Sequence, residues 1–224
     1  MAETLEASPE LCDQREREAY TLQQELVNLL TARTGHFRLE SGHHGNLWLD
    51  LDPLFLRPNH LQRFVVELAG RLARYNIGAV CGPLTGGAFL AQAIASVLDV
   101  EFYYTERCVS PPRDALYPVK YRIPNGLVKM VHEKNVAIVD DVINAGSAVR
   151  GSLAELRACG ANPVVIGALL VLGSLASRFF ADQNIPLEYI AHLPNEVWAP
   201  SDCPLCASQI PLQDLAADGP DRSP

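Results

Sequence analysis

The stretch "VAIVDDVINAGSAVRG", Val136 to Gly151, decides how the rest of the chain is read. An apolar segment, Val136 to Val139, runs into two adjacent acids, Asp140 and Asp141, and then turns through Asn144, Ala145, Gly146 and Ser147. From Ser147 to Cys159 the apolar residues Val149, Leu153 and Leu156 recur at helical spacing and share one face. Gly160 ends that helix, Asn162 and Pro163 turn the chain, and Val164 to Leu172 forms another buried strand. Strand, glycine turn, amphipathic helix and strand make a βαβ unit.

Working outward, the same order precedes it: "IGAVCG" as a strand, "PLTGG" as a turn, Ala88 to Leu98 as a helix and "VEFYY" as the next strand. Strands that are apolar throughout and separated by helices imply a parallel sheet covered on both faces, an α/β fold. Further upstream, the leucines at 22, 26, 29 and 30 predict an amphipathic helix over Thr21 to Arg33. The segment "HFRLESGHHGNLWLDLDPLFLRP" mixes alternation with turn residues and predicts a short hairpin or extended segment, and Pro58 to Tyr75 returns to helical spacing. The expected organisation is an amino-terminal helix and hood over residues 1–60, a core over 61–193 and a carboxyl-terminal arm or loose tail over 194–224. Residues 105–126 lack clear periodicity and read as a lid loop, or as a β-hairpin arm through the alternating Val119, Tyr121 and Ile123.

With 18 basic against 26 acidic residues, the net charge of −8 argues against a broad basic face for nucleic acid or anionic membrane. No secretory signal is legible in "MAETLEASPE", and the longest nearly apolar run, Val164 to Ala176, is too short to span a bilayer, so a cytoplasmic protein is expected. Of six cysteines only Cys203 and Cys206, in "CPLC", have a motif-like spacing. Metal binding there needs two further ligands, which no second such pair supplies; a reduced pair in a tail, and no protein-held metal, is the expectation.

In a parallel α/β sheet, ligands bind beyond the carboxyl ends of the strands, where Asp140 and Asp141 stand. The helix that follows offers unpaired amides and the positive end of its dipole, Gly146 permits close backbone approach, and Ser147 can donate a hydroxyl. Residues Asn144, Ala145, Gly146, Ser147 and Ala148 therefore read as a phosphate cradle, similar in logic to a P-loop without its lysine. Two acids facing the phosphate would repel it, whereas acids accepting hydrogen bonds from sugar hydroxyls would not, so the combination asks for a phosphorylated ribose.

These residues resemble the phosphoribosyl pyrophosphate signature of type I phosphoribosyltransferases, which carries hydrophobic residues, two acids and a Thr/Gly-rich turn. Within that family the chain looks most like the orotate phosphoribosyltransferase branch, through "GHFRLESGHHGNLWLDLD" and through "GPLTGGAFLA", which is similar to the family's pyrophosphate turn. The resemblance implies a five-stranded parallel sheet with helices on both faces and a small amino-terminal hood. It also implies a homodimer, phosphoribosyl pyrophosphate and a nucleobase as substrates, orotate first among them, and Mg²⁺ held mostly by substrate and water oxygens. The implied reaction converts orotate and phosphoribosyl pyrophosphate to orotidine 5′-monophosphate and pyrophosphate. Carried over by position, Asp140 and Asp141 contact the ribose, residues 144–148 hold the 5′-phosphate, and Thr85, Gly86 and Gly87 belong to the pyrophosphate turn.

The chain departs from that pattern in the hood and lid. Glu40 stands where the branch has a lysine, the lid lacks a "K-x-H-G" segment, and no arginine follows the strand near Gly173. Arg107 and Lys120 are the expected suppliers of positive charge to the pyrophosphate, with Arg113 and Arg122 as further candidates. Because the departures touch base and leaving group, a transferase for another nucleobase and a noncatalytic phosphoribosyl pyrophosphate sensor stand as alternatives. His43 and His44 are expected to be solvent-exposed, and Trp48, Tyr103 and Tyr104 to pack in core or hood.

Overall fold

The strand that carries the two acids is apolar on consecutive residues because it is covered on both sides. Val136 and Ile138 pack into one cluster, Ala137 and Val139 into another, and all four are fully buried. The computed structural model describes residues 9–108 and 116–214. In chain order the elements are α1 (Pro9–Asn28), β1 (Thr31–Arg38), β2 (His44–Asp50), α2 (Asp52–Phe55), α3 (Pro58–Leu72), β3 (Ala79–Pro83), α4 (Gly86–Leu98) and β4 (Glu101–Cys108). They continue with β5 (Lys120–Arg122), α5 (Val128–Val131), β6 (Asn135–Ile143), α6 (Ser147–Ala158), β7 (Asn162–Leu172), α7 (Leu175–Asp182), β8 (Leu187–Leu193), β9 (Val197–Trp198) and α8 (Pro204–Ala207).

The main sheet has the order β5-β4-β3-β6-β7-β8. Its five strands from β4 to β8 are parallel, as expected, while β5 adds a sixth, antiparallel strand at one edge. Helices α1, α3 and α4 cover one face through Leu26, Leu68, Leu72 and Ile94, and α6 and α7 cover the other through Leu156 and Phe180. A second sheet, β1-β2-β9, forms the hood.

Three sequence expectations change. The first helix, expected over Thr21 to Arg33, begins at Pro9 and ends at Asn28, and Thr31 to Arg33 already belongs to β1, whose residues pair with β2 from Thr31↔Asp50 onward. Within the segment 105–126 the described residues pair as antiparallel strands, the alternative to a lid loop, with Arg107 opposite Tyr121 and Cys108 opposite Lys120; Arg113 lies outside the described residues. The expected loose tail is instead packed as far as it is described. Strand β9 pairs with β2, and beyond α8 the Gln213 carbonyl accepts from Arg38 N–H at 2.9 Å while Gln213 N–H donates to His36 O at 2.8 Å.

Helix α4 enters so close to β3 that only glycine fits at Gly82, where a Cβ would strike the backbone of Gly87. Backbone cannot rotate out of the way as a side chain can. Gly82→Ala should cost about 1–3 kcal/mol in urea unfolding; a change inside measurement error would mean that α4 shifts freely.

Candidate active site

Asp140 and Asp141 do not stand beyond the strand, as the sequence suggested, but inside β6, which stays paired with β7 from Asp140↔Ala168 to Ile143↔Val171. Asp140 is 8% exposed and Asp141 half-buried. Backbone amides turn onto them: Asp141 N–H donates to Asp140 Oδ1 at 3.2 Å, and Val142 N–H to Asp141 Oδ1 at 2.8 Å. Burial, and then the charge of Asp141, holds the Asp140 carboxyl well above its usual range; burial raises Asp141 too, against the lowering effect of the Val142 amide. The β3–α4 turn rests on the pair. A Cβ on Gly86 would collide with the Asp141 carboxylate, and one on Gly87 would lie 2.7 Å from Asp140 Oδ1.

Beyond β6 the chain enters α6 through Gly146, whose φ of 78° is the left-handed conformation that glycine adopts without a Cβ clash. This places the first turn of a 12-residue helix at the end of the acid-bearing strand. The hydroxyl of Ser147 is buried there and has no hydrogen-bond partner among the described residues, an arrangement that calls for an acceptor from outside the chain. The cradle is braced from two sides. Asn195 Nδ2 donates to Asn144 Oδ1 at 3.2 Å, and Tyr117 OH donates to Ala145 O at 3.3 Å.

Acids and cradle open into one cavity of about 340 Å³. Of the residues singled out in the sequence, Asp140, Asp141, Asn144, Ala145, Gly146, Ser147, Ala148, Thr85 and Gly86 line it. Gly87 is buried behind the turn, and Arg107 and Lys120 lie outside the lining, exposed on the β4–β5 hairpin. Arg107 Nε sits 3.6 Å from Glu40 Oε2, while Lys120 borders a neighbouring cleft with Tyr117 and Arg150. The hood closes the cavity with Leu39, Glu40, Ser41 and Trp48, and the hairpin adds Tyr121, whose hydroxyl donates to Glu40 at 3.0 Å. Among the described residues the lining contains no lysine, arginine or histidine.

Several of these groups escaped sequence reasoning. Glu40 and Tyr121 are 81 residues apart and meet only through the fold, although the alternation through Tyr121 was the legible signal for the strand that delivers it. Trp48 was expected as hood packing; it touches Phe37, with centroids 6.0 Å apart, and also lines the cavity. His43 and His44, expected in solvent, are buried at 7% and 6% exposure.

Comparison with known proteins gives the family and the fold. Residues 58–186 match the profile of the phosphoribosyl transferase domain. The orotate phosphoribosyltransferase of Thermotoga maritima is 29% identical over 191 residues, covering 83% of this chain and 91% of that one. Its counterpart from Pelotomaculum thermopropionicum is 31% identical over 182 residues, covering 80% and 86%. Among crystal structures, orotate phosphoribosyltransferase from Aeropyrum pernix superposes with a TM-score of 0.56 at 22% identity, covering 78% of this chain and 93% of that one. Adenine phosphoribosyltransferase from Trypanosoma brucei, in complex with AMP, pyrophosphate and ribose-5-phosphate, gives 0.60 at 18%, covering 76% and 79%.

The buried acid pair predicts a trade of stability for function. Asp140→Asn keeps an oxygen for the Asp141 amide and removes a buried charge. Its ligand-free Tm should exceed that of the wild type at neutral pH, by about 2–4 °C per kcal/mol relieved. Because the folded pKa of Asp140 is raised, the native state takes up a proton before the unfolded chain does. The wild type therefore regains stability as pH falls through the raised value toward about 3.9, and the gap should close in that window. A variant less stable than wild type at neutral pH would mean that the charge is compensated.

Proposed function

The chain belongs to the phosphoribosyltransferase family, and from that premise we propose that it transfers the phosphoribosyl group of phosphoribosyl pyrophosphate to orotate, a step of pyrimidine biosynthesis. The observation that carries phosphoribose binding is the buried hydroxyl of Ser147, which has no partner among the described residues and lies beside a helix start within the same cavity as two carboxylates. Residues 144–148 hold the 5′-phosphate through amides and this hydroxyl. Asp140 and Asp141 accept hydrogen bonds from the 2′- and 3′-hydroxyls, and their charge favours the positive character that develops at the anomeric carbon. Thr85 and Gly86 face the pyrophosphate, and Gly87, buried behind them, lets the turn approach the acids. Arg107 and Lys120, on the hairpin at the cavity's edge, supply positive charge to it once the substrate draws them in.

A hard divalent cation fits the donor set: two buried carboxylates with no cation among the influences that shift them, and room for substrate and water oxygens. Mg²⁺ would lie on the ribose side against Asp140 and Asp141, and when bound it supplies neutralisation of the pyrophosphate charge. The proposal includes a homodimer, which light scattering on the purified protein tests.

Orotate as acceptor rests on the curated relatives, which align over most of their length. One observation favours a second reading. Glu40 lines the cavity, and no cation among the described lining residues is available to a carboxylate-bearing base. A neutral base that donates N–H groups to Glu40 suits that lining better, unless Arg107 leaves Glu40 for the orotate carboxylate.

Pyrophosphate release should be measured with phosphoribosyl pyrophosphate, Mg²⁺ and each of orotate, uracil, adenine, guanine and hypoxanthine. Release with orotate alone is expected; release with a neutral base alone moves the assignment to the second reading, and silence with every base defeats both. Ser147→Ala should raise KM for phosphoribosyl pyrophosphate about 10- to 100-fold, the cost of one hydrogen bond to a charged group. An unchanged KM would remove Ser147 from the phosphate site.

A further inference from the structure

The hood and the carboxyl-terminal segment meet at four side chains that phosphoribosyl transfer does not use. His36 lies in β1 and His44 opens β2, so they flank the hairpin turn; Cys203 and Cys206 come from the start of α8, about 160 residues later. His36 Nε2 is 3.1 Å from His44 Nδ1, 3.4 Å from Cys203 Sγ and 3.7 Å from Cys206 Sγ. Cys206 Sγ is 3.2 Å from His44 Nδ1, and all four atoms fall within 4.8 Å of one another. Around a tetrahedral ion with Zn–N near 2.0 Å and Zn–S near 2.3 Å, neighbouring ligand atoms stand about 3.3–3.8 Å apart. Of the observed spacings, 3.4 and 3.7 Å fall within that range and 3.1 and 3.2 Å lie just below it.

The proton on His36 is assigned by its other nitrogen. Nδ1 lies 2.8 Å from the carbonyl of Ile210, which can only accept, so Nδ1 carries the hydrogen and Nε2 turns a lone pair toward His44 and the two sulfurs. A backbone carbonyl that orients a ring in this way is the usual outer support of a metal-bound imidazole. Three of the four side chains are buried, with His36 at 1%, His44 at 6% and Cys203 at 3% exposure, while Cys206 reaches the surface. Two thiols and two imidazoles converge here from segments far apart in the chain, and this is the donor set of a four-coordinate metal site.

We propose that His36 Nε2, His44 Nδ1, Cys203 Sγ and Cys206 Sγ bind one Zn²⁺ ion per chain. Two nitrogens and two sulfurs in tetrahedral disposition select zinc among the divalent ions, and a set with every position taken by protein is structural, not catalytic. The ion fastens the end of the chain to the hood, where β9 already pairs with β2 and Gln213 with the backbone of β1. Leu39, Glu40 and Ser41 lie in the turn between the two histidines, so the same ion holds the roof of the substrate cavity. The two ligands that "CPLC" lacks in sequence are thus supplied by the hairpin, and the expected reduced pair in a tail gives way to a metal knuckle.

Elemental analysis of the untagged full-length protein, purified without chelator and dialysed, tests this. About one equivalent of zinc is expected; the Cys203→Ser/Cys206→Ser double variant should lose it, and Cys108→Ser should keep it. Should the double variant fail to fold, Co²⁺ added to metal-stripped wild type answers the same question: visible absorption with thiolate-to-metal charge transfer is expected. Stripping zinc should lower the thermal midpoint, and Zn²⁺ should restore it. Wild type that takes up neither Zn²⁺ nor Co²⁺, or a double variant that holds as much zinc as wild type, would overturn the site, and an unmoved midpoint would overturn its clamping role.

Discussion

Two adjacent carboxylates are buried at the end of an inner strand, and the surrounding structure is arranged to make that tolerable. An ionised carboxylate taken from water costs several kcal/mol unless donors or a cation answer it. Here the strand's own amides at Asp141 and Val142 answer part of the charge, and the glycines of the β3–α4 turn bring backbone close to the rest. What remains is the raised proton affinity of the pair, which sugar hydroxyls and a hard cation are suited to relieve. Ligand binding is in this sense the completion of an electrostatic arrangement that the fold leaves open.

The same constraint explains the placement of the helices around β6. Helix α4 must start against the acids, so Gly82, Gly86 and Gly87 have no room for side chains, while α6 must start just beyond them, so Gly146 turns the chain sharply and leaves the Ser147 hydroxyl facing the cavity. The glycine turn before α4 and the helix start of α6 therefore meet at a single strand end. Their spacing is set by the sheet, the most deeply buried part of the molecule, and not by the loops.

Specificity belongs to a different layer. The hood and the β4–β5 hairpin bring Glu40, Tyr121 and Arg107 into one network, with the tyrosine hydroxyl on the carboxylate at 3.0 Å and the guanidinium at 3.6 Å. The proposed zinc knuckle lies behind this roof and ties the hood to the segment that carries Cys203 and Cys206.

The βαβ order and the helix starts at Pro58 and Ser147 were legible in the sequence because each rests on residues close along the chain, through periodicity and a proline or glycine at the turn; the count of five parallel strands came from the family resemblance, and neither β8 nor the start of α1 at Pro9 was read from local pattern. The acids could be named but not placed, since whether β6 continues through Asp140 and Asp141 depends on pairing with β7. Arg107 and Lys120 could be named for their charge but not placed, since their distance from the cavity is set by the pairing of β4 with β5. The Glu40–Tyr121 contact spans 81 residues and the Cys206–His44 contact 162, and no local pattern encodes separations of that length. Short-range chemistry thus determined the α/β order and the turn into α6, whereas pairing between segments far apart in the chain decided which side chains share the cavity and brought the hood histidines to Cys203 and Cys206.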